Sequence, residues 1–96
     1  MRQLIFFHAV WCGPCNHDKH TYIQDIKAAV GQDKVLEYDI ADHYTEVKRL
    51  HIVHVPTYAL KENGSEIVLK SKPPVNMMID WLTGRIDTND CCEYFR

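Results

Sequence analysis

The sequence predicts an α/β fold: a four-stranded mixed sheet in the order 2-1-3-4, with helices on both faces. Three observations carry this expectation. The run Leu4-Ile5-Phe6-Phe7 is continuously apolar, the pattern of a strand covered on both sides. It is followed by residues at helical spacing and then by the alternating segment Val35–Ile40, so the first half reads as a βαβ unit with parallel strands. Asn63-Gly64 lies between two further strand-like segments and marks a two-residue hairpin, because both central positions need positive φ; those strands are antiparallel neighbours.

The elements follow in order. Strand 1 runs into Trp11-Cys12-Gly13-Pro14-Cys15, where Pro14 suits the first turn of a helix because its missing N–H costs nothing there. Tyr22, Ile23, Ile26, Ala29 and Val30 then recur at helical spacing until Gly31 stops them. In Val35–Ile40, Leu36, Tyr38 and Ile40 share one face, and Val35, Glu37 and Asp39 the other. Asp42 is expected to cap a short helix lined by Tyr44, Val47 and Leu50, which gives way to the β-branched segment Ile52-Val53-His54-Val55. Pro56 opens the strand Thr57–Lys61, and Glu66–Lys70 pairs with it across the hairpin. Pro73-Pro74 starts a last helix with Val75, Met78, Ile79 and Leu82 on its buried stripe and Gly84 as its cap. Right-handed crossovers put helices 1 and 3 on one face and helix 2 on the other. Residues 1–84 form the expected domain, and residues 85–96, which lack periodicity, read as a mobile tail.

A chain of 96 residues can bury one core but not two. Its 46% hydrophobic and 25% charged residues place it among globular domains rather than disordered chains. With 11 basic against 13 acidic residues it lacks the footprint of a nucleic-acid or anionic-membrane binder, and neither partner is expected. The longest apolar stretch, Leu4–Cys12, is broken by His8 and is about half of what crosses a bilayer. Arg2 before Leu4–Phe7 faintly imitates an export signal, but Trp11 stands where a cleavage site wants a small residue, so the expected location is the cytoplasm. Four cysteines there point to redox chemistry or metal binding rather than to structural bridges.

Cys12 and Cys15 stand three apart at a helix N-terminus, a spacing that puts both side chains on one face within reach of a disulfide. The unpaired N–H groups and the positive end of the helix dipole favour a thiolate on the first cysteine, while the second lies further along and more enclosed. Cys12 is therefore the expected nucleophile and Cys15 the resolver. Trp11 sits directly before Cys12 at a sharp strand-to-helix turn, where a half-exposed ring can touch substrate. The competing metal set, Cys12, Cys15, His17 and His20, is disfavoured because His17 is two positions from Cys15 and points elsewhere on a helix. His17 and His20 are expected to be solvated, no metal or other cofactor is expected, and His54 is left open between surface group and neighbour of the dithiol.

At these residues the chain resembles the thioredoxin family. Trp11-Cys12-Gly13-Pro14-Cys15 matches its active-site motif and Val55-Pro56-Thr57 its second signature, and the resemblance covers about residues 3–83. It implies the thioredoxin-like fold and a thiol–disulfide oxidoreductase that reduces protein disulfides through Cys12 and Cys15. It also implies a cis bond before Pro56 facing the dithiol, and a Val55 backbone that pairs with the substrate peptide. Trp11, Gly13, Pro14, Val55 and Pro56 make up the implied substrate surface. The implied partners are disulfide-bearing proteins and a thioredoxin reductase or equivalent electron donor, with the chain acting as a monomer. The Gly-Pro spacer resembles that of the strongly reducing members.

The chain also departs from the family. Full-length thioredoxins begin with an extra strand and helix, whereas Met1 here lies just before the central strand, a size close to glutaredoxins. That size suggests a glutathione-dependent oxidoreductase as the alternative, although glutaredoxins usually carry Pro-Tyr between the cysteines; a non-catalytic docking subunit is the alternative from another class. The family's buried aspartate is Phe6 here, its helix-kinking proline is His20, and the glycine after its last strand falls near Ser71-Lys72. Glu37 has two roles open to it: accepting the Cys15 proton in place of the missing aspartate, or standing as an inward charge that protects an edge strand. Cys91 and Cys92 lie outside the resemblance. Adjacent Cα atoms are about 3.8 Å apart, short for a disulfide, and Asp87, Asp90 and Glu93 raise the thiol pKa values. Two reduced tail thiols without catalytic work are expected, the alternatives being an accessory dithiol that exchanges with Cys12–Cys15 or a partner, and a docking or modification point on a flexible arm.

Overall fold

The computed structural model describes residues 1–95. Its strands β1 (Arg2–His8), β2 (Val35–Asp39), β3 (Thr57–Glu62) and β4 (Ser65–Val68) form one sheet in the order β2-β1-β3-β4. β1 and β2 are parallel, with Phe6 opposite Glu37; β1 and β3 are antiparallel, with Phe6 opposite Tyr58. β3 and β4 are antiparallel around Asn63 (φ 52°) and Gly64 (φ 84°), the double positive φ that the hairpin demands. The predicted fold class and strand order are those observed.

The helices are α1 (Gly13–His20), α2 (Tyr22–Val30), α3 (Tyr44–Arg49), α4 (Val75–Leu82) and α5 (Thr88–Cys91). Every residue of Leu4–Phe7 is fully buried because β1 is covered on both faces. Leu4 and Phe6 pack with Ile23 and Ile26 of α2 and Met78 and Trp81 of α4; Ile5, Phe7 and Ala59 pack with Val47, Leu50 and Ile52 around α3. Burying side chains of this size contributes about 1.5–3 kcal/mol each, so the two faces of β1 dominate the core. Among the described residues no helix is long and apolar enough to cross a membrane.

Three local expectations need correction. The first helix is not continuous: Thr21 leaves helical geometry (φ −122°, ψ −80°) and separates α1 from α2. Its hydroxyl donates to the His17 carbonyl at 2.8 Å, the back-bonding by which a threonine bends a helix. Asp42 does not cap α3. The Asp39 carboxylate accepts from the Ala41 amide at 2.9 Å and closes the preceding turn, and His43, stacked on Tyr38, becomes the N-cap residue.

The segment expected to be a mobile tail is instead folded against the domain. Asp87 caps α5 by accepting from the Asp90 amide at 3.0 Å, and Thr88 Oγ1 accepts from the Trp81 indole at 3.1 Å. Cys91 is buried in the core cluster that holds Trp81 and Leu69. Beyond it, the Lys70 amide donates to the Glu93 carbonyl and the Phe95 amide to the Val68 carbonyl, so the chain lies antiparallel along the free edge of β4. Cys91 and Cys92 are joined as a disulfide rather than held as two thiols. A four-residue helix is too short for periodicity to reveal, which is why the segment read as unstructured.

Candidate active site

The end of β1 delivers the chain to Cys12, whose amide donates to the Ala9 carbonyl at 3.1 Å and turns the backbone sharply. Cys12 is the N-cap residue of α1, with extended φ and ψ (−92°, 107°), and Pro14 occupies the first turn. Cys12 and Cys15 are disulfide-bonded, with Cα atoms 5.2 Å apart. The Cys15 amide points at Cys12 Sγ at 3.2 Å, one of the orphan donors of the helix end aimed at the sulfur that would carry negative charge. No acidic residue stands in the first turn of α1 to offset this field. Cys15 is 1% exposed and Cys12 5%, so the second sulfur is the more enclosed.

The Val55 carbonyl lies 3.7 Å from Cys12 Sγ, and the Val55–Pro56 bond is cis. The structure therefore brings Cys12, Cys15, Val55 and Pro56 together across two loops at the C-terminal end of β1. Trp11 is 74% exposed, more open than the half-exposed ring expected, and Val10 and Val53 are exposed with it. A Cβ at Gly13 would meet nothing within 4 Å, so this glycine leaves the approach to the disulfide open rather than relieving a clash. His17 and His20 are exposed on α1, away from its buried Cys15–Asp18 side.

Glu37 points to the same side of the sheet as the cysteines, since its partner Phe6 packs in their cluster. Its Oε2 is 2.6 Å from Lys27 Nζ, and its Oε1 is buried with no hydrogen-bond partner.

Two residues near the disulfide escaped the sequence reading. Asp18, one turn after Cys15, is 5% exposed; its Oδ2 accepts from the Tyr58 hydroxyl at 2.7 Å and its Oδ1 from Lys72 Nζ at 2.9 Å. It falls on the same helical stripe as Cys15, Tyr22 and Ile26, so a lone acid on an apolar face was the available sign. Burial, and then Asp18, push the hydroxyls of Tyr58 and Tyr22 far above the ordinary tyrosine pKa and keep both protonated. His8, at the end of β1, stacks on Phe6 at 5.2 Å, and burial lowers its pKa against the opposing pull of Asp39. A polar residue ending an apolar strand gave no sign of this. A cavity of about 350 Å³ is lined by Pro14, which lies between the two cysteines in the sequence, by Pro56, and by Lys70, Ser71 and Lys72.

A paired Cys-x-x-Cys at a helix N-terminus, set beside a cis-proline loop on a sheet of this topology, defines a protein-disulfide oxidoreductase centre. The thioredoxin family model matches residues 1–82. Thioredoxins of Rickettsia conorii and Rickettsia felis are each 31% identical over 87 residues, covering 86% of this chain and 80% of theirs. Mitochondrial thioredoxin 3 of Saccharomyces cerevisiae superposes with a TM-score of 0.61 at 24% identity, covering 69% of this chain and 61% of that one. Malassezia sympodialis thioredoxin does so with 0.59 at 28%, covering 69% and 60%. The chain thus spans about three fifths of these two solved structures. It belongs to the thioredoxin family.

Proposed function

We propose that this chain reduces disulfides in other proteins by thiol–disulfide exchange at Cys12 and Cys15. The observation that carries the reading is the Cys15 amide aimed at Cys12 Sγ at the start of α1. In the reduced form, that donor and the helix dipole favour the Cys12 thiolate. The thiolate attacks one sulfur of the substrate disulfide, forms a Cys12 mixed disulfide and expels the other substrate sulfur as a thiolate. Cys15, once deprotonated, attacks Cys12 Sγ, closes the Cys12–Cys15 bond and releases the second substrate thiolate. The two electrons come from the dithiol, so a thioredoxin reductase or an equivalent donor must restore it.

Substrate binding is assigned to the surface around Cys12. The Val55 backbone receives an extended substrate strand, Pro56 and Pro14 flank the attacked sulfur, and the open face at Gly13 and the exposed Trp11 ring contact the incoming chain. Glu37 takes the Cys15 proton: it lies on the cysteine side of the sheet, and its unpartnered Oε1 is free to accept. No metal or organic cofactor enters these steps, and the protein works as a cytoplasmic monomer.

The test is exchange chemistry. Cys12→Ser is expected to abolish reduction of a protein disulfide, and Cys15→Ser to accumulate a mixed disulfide through Cys12, read by mass spectrometry. Substrate linked elsewhere in Cys15→Ser would defeat the assignment of roles. Turnover supported by NADPH with thioredoxin reductase, but not by NADPH with glutathione and its reductase, separates this reading from the glutaredoxin-like alternative. Retention of biological activity in a Cys12→Ala/Cys15→Ala protein would point to the docking subunit instead.

A further inference from the structure

The cavity at Pro14 and Pro56 carries a charge pattern unlike that of the whole chain. The sequence has a net charge of −2, yet the lining that Pro14 and Pro56 share includes Lys70, Ser71 and Lys72 in succession. The one acid lining this cavity, Asp18, is already answered: Tyr58 donates to one of its oxygens and Lys72 to the other. Lys72 is still 42% exposed along its side chain, so the ammonium keeps donors turned to solvent. Lys70 is exposed, and its Nζ lies 5.7 Å from the ring centre of Phe95; among the described residues no carboxylate pairs with it. Its position is held from behind, since its amide is bonded to the Glu93 carbonyl of the strand that lies along β4.

We infer that this lining is a carboxylate subsite, and that the preferred substrates are polypeptide disulfides with an acidic residue beside the attacked cysteine. The inference rests on the disulfide-reductase reading and extends it to substrate class. A substrate strand seated on Val55, with its sulfur at Cys12, passes along the lining that Pro14 and Pro56 share with the two lysines. An aspartate or glutamate close to that sulfur then meets Lys70 and the free donors of Lys72, whereas a lysine there meets like charge. A glutathione carboxylate offers the same chemistry from a small molecule, so the experiment includes it as a separate arm.

Three peptide disulfides differing only in Glu, Gln or Lys next to the cysteine, together with glutathione disulfide, are to be compared with the full chain and with Lys70→Gln and Lys70→Glu. A partly exposed ion pair of up to about 1 kcal/mol predicts a Glu-over-Lys preference in kcat/KM of up to about fivefold at low salt, shrinking at high salt. Lys70→Gln should reduce the ratio and Lys70→Glu should cancel or invert it. Equal kcat/KM for the Glu and Lys peptides, or a preference that survives Lys70→Glu, would overturn the subsite. If glutathione disulfide is the substrate most weakened by Lys70→Glu, the polypeptide assignment is overturned. Turnover of none of the four would instead remove the reductase reading on which the subsite rests.

Discussion

The Tyr58 hydroxyl donates to Asp18 Oδ2 at 2.7 Å, tying the helix that carries Cys15 to the strand that begins after Pro56. The two halves of the site, dithiol and cis-proline loop, are thus fixed to each other by one buried bond as well as by packing. Tyr58→Phe keeps the ring stacked on Phe6 and removes only the donor, leaving Asp18 to Lys72. An orphaned buried carboxylate oxygen should cost about 1–3 kcal/mol, read as a lower urea midpoint with the slope unchanged. An unchanged midpoint would show that water replaces the hydroxyl without penalty.

Glu37→Gln separates the two roles of that side chain. The Glu37–Lys27 pair is lost in the variant, and so is the ability to take a proton. The expected result is a slower resolving step with a flattened dependence on pH, measured as the decay of a Cys12 mixed disulfide. A slope identical to that of the unaltered protein would leave Glu37 only as an inward charge guarding the β2 edge.

Removing residues 87–96 is expected to lower stability before it lowers chemistry. The truncation strips Thr88 from the Trp81 indole, takes Cys91 out of the core and uncovers the β4 edge. Losing this burial should cost about 2–4 kcal/mol, seen as a fall in Tm. A Tm equal to that of the full chain would restore the mobile-tail picture.

His8 gives the fold a pH dependence whose sign follows from its burial. Its folded pKa lies below the ordinary 6.5, so between those two values the unfolded chain binds more protons. Stability should therefore fall as pH drops through 6.5 and level off below the folded value. His8→Phe, which retains a ring against Phe6, is expected to make that fall shallower. Identical pH profiles for the two proteins would assign the acid sensitivity to other groups.

The parts legible in the sequence were those written in local pattern. Leu4–Phe7 announced a strand covered on both faces, Asn63-Gly64 a hairpin, and Cys12-Gly13-Pro14-Cys15 a dithiol at a helix start. The parts missed depend on tertiary placement. Asp18 gains its partners from Tyr58, 40 residues away, and Lys72, 54 away. The α5 segment acquires order from Trp81 and the β4 edge, while its own sequence shows no period. Thr21 bent a helix that apolar spacing alone would have continued, because back-bonding is invisible to hydrophobic periodicity.

The exposed Trp11 ring, contrasted with the fully buried Trp81, gives the molecule two optical channels. Emission from an indole in water lies to the red of one enclosed in a core, so the two contributions separate by wavelength. Trp11 directly precedes Cys12 in the chain, and a disulfide is an efficient quencher, so the red-side intensity should follow opening and closing of the Cys12–Cys15 bond in real time. Trp81, bonded to Thr88, should follow instead whether the C-terminal segment is seated.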